Sequence, residues 1–341
     1  MSASVEQLLQ MAEEAMQGGE LEDAIAVCDQ ALQAEPKNPD ALEIKALAVA
    51  ELGEFEQADL LLAMLLEQEP KRVTALLAAA DVKIRLPGDD RERIAEGLAL
   101  LERAEKTARR DEALSIELEL LRGVAFNQLG DNEDALDSFA RVLQLDPEHP
   151  EARLEQAMAF FELGRFDDAK KAFGLMARDF PDEPWAHHYL GLLAERRGEN
   201  PEPFFARARK LEPDEFPKPP SLSREEFDQA VAEAIAKLPE HAKPHLQNVI
   251  ISVEAIPGEA EIAEGLSPTI LGVFAGTPIT ERLDTHAGHH ETARITLFQK
   301  NLERFARTRD ELIEEIGITV LHEVGHLLGL DEDELYDRGL D

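Results

Sequence analysis

His322, Glu323 and His326 stand in the order H-E-x-x-H. On a helix the two histidines are one turn apart on one face, where their ring nitrogens can share a single divalent metal ion. Glu323 falls beside them, placed to act on water at the metal and not to hold the metal itself. These are the residue types of metal-assisted hydrolysis. From Ile316 to Leu330 the polar side chains are Thr319, His322, Glu323 and His326, and the rest are Ile, Val, Leu and Gly. Such a helix is expected to be buried on most sides. Three ionisable groups are costly there unless a metal compensates them, so a surface helix with two solvated histidines does not suit these flanks.

A catalytic zinc uses three protein ligands and keeps a fourth position open. Gly329 can take φ > 0 and end the helix in a tight turn. The chain then doubles back through Asp331, Glu332, Asp333 and Glu334. In the longer pattern H-E-x-x-H-x-x-G-x-x-H the third ligand stands six residues after the second histidine, and here that position is Glu332. A one-residue shift of the turn would present Asp331 instead. Asp333 and Glu334 read better as the cap of a short last helix. Tyr336 is a candidate donor to a developing oxyanion.

The elements that must position this helix lie upstream. Arg224–Leu238 reads as a helix, with Ser221 or Ser223 as its cap and Glu225 and Glu226 in its first turn. Three β-branched or aromatic runs follow as strands, at 248–254, 269–274 and 294–298, before the long helix Arg309–Leu328. A three-stranded sheet on two helices is the expected layout. Ile295–Phe298 is the candidate edge strand on which a substrate chain could add by β-augmentation. The loop between the second and third strands carries His286, His289 and His290, a candidate second metal site or a rim over the cleft. His241 and His245 flank a proline-containing turn and receive no function.

The preceding two-thirds of the chain are periodic. Pro36 and Pro70, and Pro147 and Pro181, are each separated by 34 residues. Gly19, Gly53, Gly130 and Gly164 repeat in step, as do Ala24, Ala58, Ala135 and Ala169. Cys28, Leu62, Phe139 and Phe173 hold the next core position. Spacing and fixed positions resemble tetratricopeptide repeats. Two units are irregular, at about 72–110 and 185–213, which makes six helix pairs. They should stack into a superhelix with a concave face. Trp185 and Tyr189 are read as repeat core, and His187 and His188 as surface or groove. The stretch 214–220 is a stiff proline-rich linker. The expected organisation is repeats over 1–213, linker 214–220 and a second domain over 221–341, with few contacts across the linker.

Composition narrows the function. The formal net charge is −36, with 71 Asp and Glu against 35 Lys and Arg. Nucleic acid and anionic membranes are therefore not expected as partners, whereas a basic protein or peptide is. No apolar run approaches a membrane span, the N-terminus reads as an acidic amphipathic helix, and a single cysteine excludes an internal disulfide. These features point to the cytoplasm.

Four pieces from about Ser221 to Leu340 resemble the bacterial zincin-like metallopeptidase family. They are the helix opening Arg224-Glu225-Glu226-Phe227-Asp228, the run Leu271-Gly272-Val273-Phe274-Ala275-Gly276-Thr277-Pro278, the strand Arg294–Phe298, and Thr319–His326 with Gly329 and Glu332. Leu327 departs from the family, where a polar or aromatic residue often follows the second histidine. The resemblance implies a compact α+β domain, so the expected architecture is an all-α tetratricopeptide superhelix followed by a small α+β zincin-like domain. It also implies Zn²⁺ held by His322, His326 and Glu332, and Glu323 as the base. The expected function is a zinc-dependent peptidase whose repeats recruit a protein substrate or regulator. The rival is a repeat scaffold whose zinc site is structural or latent.

Overall fold

The computed structural model describes residues 3–86, 88, 90–238, 240, 242–279, 293–331 and 334–335. They fall into two compact units, Met1–Phe160 and Phe161–Asp341.

The first unit is built from helix pairs: α1 (Val5–Gln17) with α2 (Leu21–Ala34), α3 (Pro39–Glu51) with α4 (Phe55–Gln68), α5 (Val73–Arg85) with α6 (Arg91–Ala108), and α7 (Glu112–Leu129) with α8 (Asn132–Leu145). The chain continues into α9 (Pro150–Glu162). Side chains of Ser4, Asn38, Asp90 and Asp111 accept the free N–H groups that open α1, α3, α6 and α7. The periodic alanines Ala24, Ala58 and Ala135 are fully buried, as is Cys28, because the small side chain lets neighbouring helices approach. Burial pushes the Cys28 thiol up to about 11. Gly123 of α7 lies so close to the Phe139 ring of α8 that a Cβ would stand 2.5 Å from it. α6 runs 18 residues, which is the lengthened second helix of the irregular third pair.

In the second unit the repeats end with α10 (Phe166–Asp179), α11 (Pro184–Arg196) and α12 (Glu202–Leu211). Phe173 stacks on Tyr189 at 4.7 Å, and Phe161 meets the same ring edge-on. His188 departs from the expectation of a surface or groove histidine. It is packed among Trp185, Tyr189, Phe205 and Phe216, and burial followed by the nearby Arg304 charge pushes its pKa down to about 4.

After the proline-rich stretch come α13 (Arg224–Lys237), a 3-10 turn (Lys243–Asn248), β1 (Ile250–Glu254), α14 (Glu259–Ala263), β2 (Gly272–Ala275), β3 (Arg294–Phe298), α15 (Gln299–Phe305) and α16 (Arg309–Leu328). Ser223 caps α13 in a reciprocal box with Glu226. Phe227, Val231, Leu297, Leu312, Ile316 and Val320 close a core between α13, the sheet and α16.

The sheet order is β1-β3-β2, with β3 parallel to β1 and antiparallel to β2. This corrects the expected edge. Ile295–Phe298 is the centre of the sheet, buried residue by residue. Thr296 hides this in the sequence, since its hydroxyl is satisfied 3.1 Å from Ser252 Oγ. The strand expected over 269–274 begins later, at Gly272, because Ser267 folds 267–270 into a turn: Thr269 N donates to its Oγ at 3.2 Å and Ile270 N to its carbonyl at 3.3 Å.

Contacts across the proline-rich stretch are denser than the sequence suggests. Phe216 is buried against Trp185 at 4.8 Å, Arg307 Nη1 donates to Asp214 O at 3.0 Å, and Arg196 Nη2 donates to Pro257 O at 2.8 Å.

Candidate metal centre

α16 presents the chemistry. Thr308 and Glu311 form its capping box, and Gly329, at φ 92°, ends it in the left-handed conformation that the turn requires. Gly329 N donates to His326 O at 3.0 Å and Leu330 N to Gly325 O at 3.0 Å, so the chain doubles back as expected. The returning Leu335 is fully buried and sits on Gly325, where a Cβ would collide with it. A glycine at 325 therefore lets the chain close over the last turn of the helix.

His322 and His326 face one another. Their Nε2 atoms are 3.0 Å apart and their rings stand at 80°. His326 Nδ1 lies 3.1 Å from Leu330 O. A carbonyl can only accept, so Nδ1 carries the proton and Nε2 turns its lone pair toward His322. That tautomer, fixed by a backbone carbonyl, is the one a ligating histidine needs. Two ring nitrogens at this separation suit one small ion with bonds of about 2.0–2.1 Å. The donors present therefore fit zinc.

Glu323 is buried at 5 % exposure. Its carboxylate lies against Gly272 of β2, where an added Cβ would stand 3.1 Å from Oε1 and 2.6 Å from Thr319 Cγ2. Gly272 is the residue that allows the strand to pass this close to the helix. A glycine inside a strand-like run was the available signal for it. Glu315 also bonds the Thr319 side chain, and its carboxyl is pushed up by burial, which that bond partly offsets.

The histidines, Glu323, Gly272, Val273, Phe274 and Asp331 line an open cleft of about 490 Å³. Asp331 accepts the Glu334 N–H at 2.9 Å, while Glu334 Oε2 accepts from Asp331 N at 3.2 Å. Asp331 is thereby the cap of the final turn. Glu332, Asp333, Tyr336, His241, His286, His289 and His290 lie outside the described residues. Among the described residues, no group of three or more His, Cys, Asp or Glu comes together to hold a metal. No described helix is long and apolar enough to cross a membrane.

Residues 246–340 match the family of zincin-like metallopeptidases, and tetratricopeptide families match residues 15–80, 89–150 and 127–195. No curated protein matches the chain. Among solved structures it is similar to PilW, a widely conserved type IV pilus biogenesis factor, with 20 % identity, a TM-score of 0.53 and coverage of 62 % of this chain and 94 % of that one. It is also similar to pilF of Pseudomonas aeruginosa, with 18 % identity, a TM-score of 0.50 and coverage of 67 % and 97 %. At these identities the likeness is one of fold. The zincin-like match suggests a metallopeptidase, with zinc as the metal the family implies, and the repeats suggest protein interaction. The chain joins N-terminal tetratricopeptide repeats to a zincin-like metallopeptidase domain.

Proposed function

We propose that the protein is a zinc-dependent peptidase whose repeats recruit a protein substrate or regulator. The observation that carries this reading is the pair of Nε2 atoms converging in a cleft beside a buried glutamate, with one tautomer fixed by Leu330 O. His322 and His326 would hold the zinc, with Glu332 as the proposed third ligand. When bound, zinc would supply a Lewis acid that lets water attack a carbonyl near neutral pH. Glu323 takes the proton from the attacking water and returns it to the leaving amine. Among the described residues β2 is an edge of the sheet and lines the cleft, so its backbone is the proposed rail for an extended substrate segment.

The first unit supports a cationic partner. Asp81 and Glu151 bind Arg85 at 2.5 and 2.6 Å, and Glu117 and Glu155 lie near these acids. Burial, then Asp81, holds Glu117 above its ordinary value. Burial does the same for Glu155, offset by the Asn127 bond. Carboxylates under this pressure gain when a cation arrives.

Elemental analysis of full-length protein purified without chelators should give one zinc per chain, and His326→Ala should lose it. A zinc-supplemented wild type that holds none would overturn the reading. Zinc without cleavage of any proteome-derived peptide would favour the scaffold or latent alternative.

A further inference from the structure

Two carboxylates on the last repeat helices reach the same short segment of the C-terminal region. Glu162, at the end of α9, accepts a hydrogen bond from Ser267 Oγ at 2.7 Å. Glu195, on α11, binds Arg304 through both guanidinium nitrogens at 2.7 Å and Lys300 at 2.8 Å. Arg304 lies 3.4 Å from Asn301 Oδ1. Asn301 is buried and donates to two carbonyls, Pro268 O at 3.1 Å and Ile270 O at 2.8 Å. The next residues are β2, the strand against which Glu323 rests. The segment 267–270 is thus pinned from one side by Glu162 and from the other by the relay Glu195, Arg304, Asn301.

We infer that Glu195 and Glu162 are positioning residues for the cleft, and that the last repeats, from residue 161 onward, form part of the catalytic body. This rests on the metallopeptidase reading of the cleft and extends it. A half-buried ion pair such as Glu195–Arg304 adds little net stability, but it fixes a geometry. Here the geometry fixed is the register of the turn that delivers β2. The compact unit that contains the cleft also begins at Phe161.

Hydrogen exchange on the full-length chain tests this directly. Glu195→Ala should speed exchange of the backbone amides over 267–275 by about tenfold, the loss expected when a charge-assisted bond network is cut. Glu195→Asp should restore part of the protection. Glu162→Ala, which removes the other contact and leaves both the ion pair and the Ser267–Thr269 turn bonds intact, should give a smaller rise at the same amides. It decides the matter if Glu195→Ala does not fold. Where hydrolysis is measurable, KM should rise by a larger factor than kcat falls, because the strand that holds substrate moves while Glu323 remains. Unchanged exchange over 267–275 in the folded variants would overturn the inference. Zinc content is read separately, so failure of the metal assignment would be distinguishable from failure of this one.

Discussion

α7 and α16 are both long helices rich in apolar side chains, and each buries a glutamate. Glu119 of α7 is 3 % exposed and Glu323 of α16 is 5 % exposed. Their surroundings differ. Glu119 meets three arginines: Arg141 at 2.9 Å, Arg122 at 3.2 Å and Arg109 at 3.8 Å. They reach it from its own helix, from α8 and from the end of α6. Glu323 borders a cleft, with two histidines on its own helix and a glycine across from it. Burial alone therefore does not mark a site. A carboxylate ringed by fixed cations locks helices together, whereas one held at the wall of an open space has the placement that the proposed base needs.

Exchanging the two roles should fail in opposite ways. Glu323→Gln should keep shape and zinc while removing the proposed base, and should lower kcat by about 10²–10⁴-fold with little change in melting temperature. Glu119→Gln should do the reverse, destabilising the first unit by about 1–3 kcal/mol while activity per folded molecule stays near wild type. Denaturant titration and steady-state kinetics on both variants check the pair. Comparable hydrolysis by Glu323→Gln would end the contrast.

The glycine across from Glu323 sharpens it further. Gly272→Ala forces a methyl into Thr319 Cγ2 and the Glu323 carboxylate. Overpacking of this kind costs about 1–3 kcal/mol. It should also lower activity, because the clash falls on the proposed base. A fully active, equally stable Gly272→Ala would mean that β2 does not press on Glu323.

Smaller effects come from the junction. The folded pKa of His188 is depressed from 6.5 to about 4 by burial and then by Arg304. The neutral ring is thus favoured in the folded state. Its contribution is complete above about 6.5 and is lost as pH falls through about 4. His188→Phe should flatten the loss of thermal stability of the full chain across that window. The smallest effect is expected at Glu162, whose carboxyl is raised by burial and partly lowered by the Ser267 bond. A raised acid weakens the fold as pH rises. Glu162→Gln can still accept from Ser267, so it should be neutral or slightly stabilising at pH 7, with the gain vanishing in acid. A clear loss at pH 7 would show that the charge itself is needed.

The repeats were legible because their physics is local. A 34-residue spacing of glycine, alanine and proline states a turn, a crossing and a stop, and Gly53 and Gly130 each adopt φ 82° where the pattern puts the turn. The pairing of His322 with His326 was legible because one helical turn brings the two rings together. The strand order was not, because a five-residue apolar run does not say which neighbours flank it, and Thr296 made a central strand look half-solvated. The junction gave no signal either. Glu195, Lys300 and Arg304 are the residue types of any solvated helix face, and only the fold brings positions more than a hundred residues apart to 2.7–2.8 Å.

Cys28 offers one practical consequence. It is the chain's single cysteine, fully buried under the first repeats, with its thiol held above the ordinary range. A thiol reagent cannot reach it until those helices part, and only the thiolate reacts. Its labelling rate in native buffer is therefore a built-in clock for opening of the N-terminal repeats. A binding partner that clamps this end of the array should slow that clock, with no probe engineered into the chain.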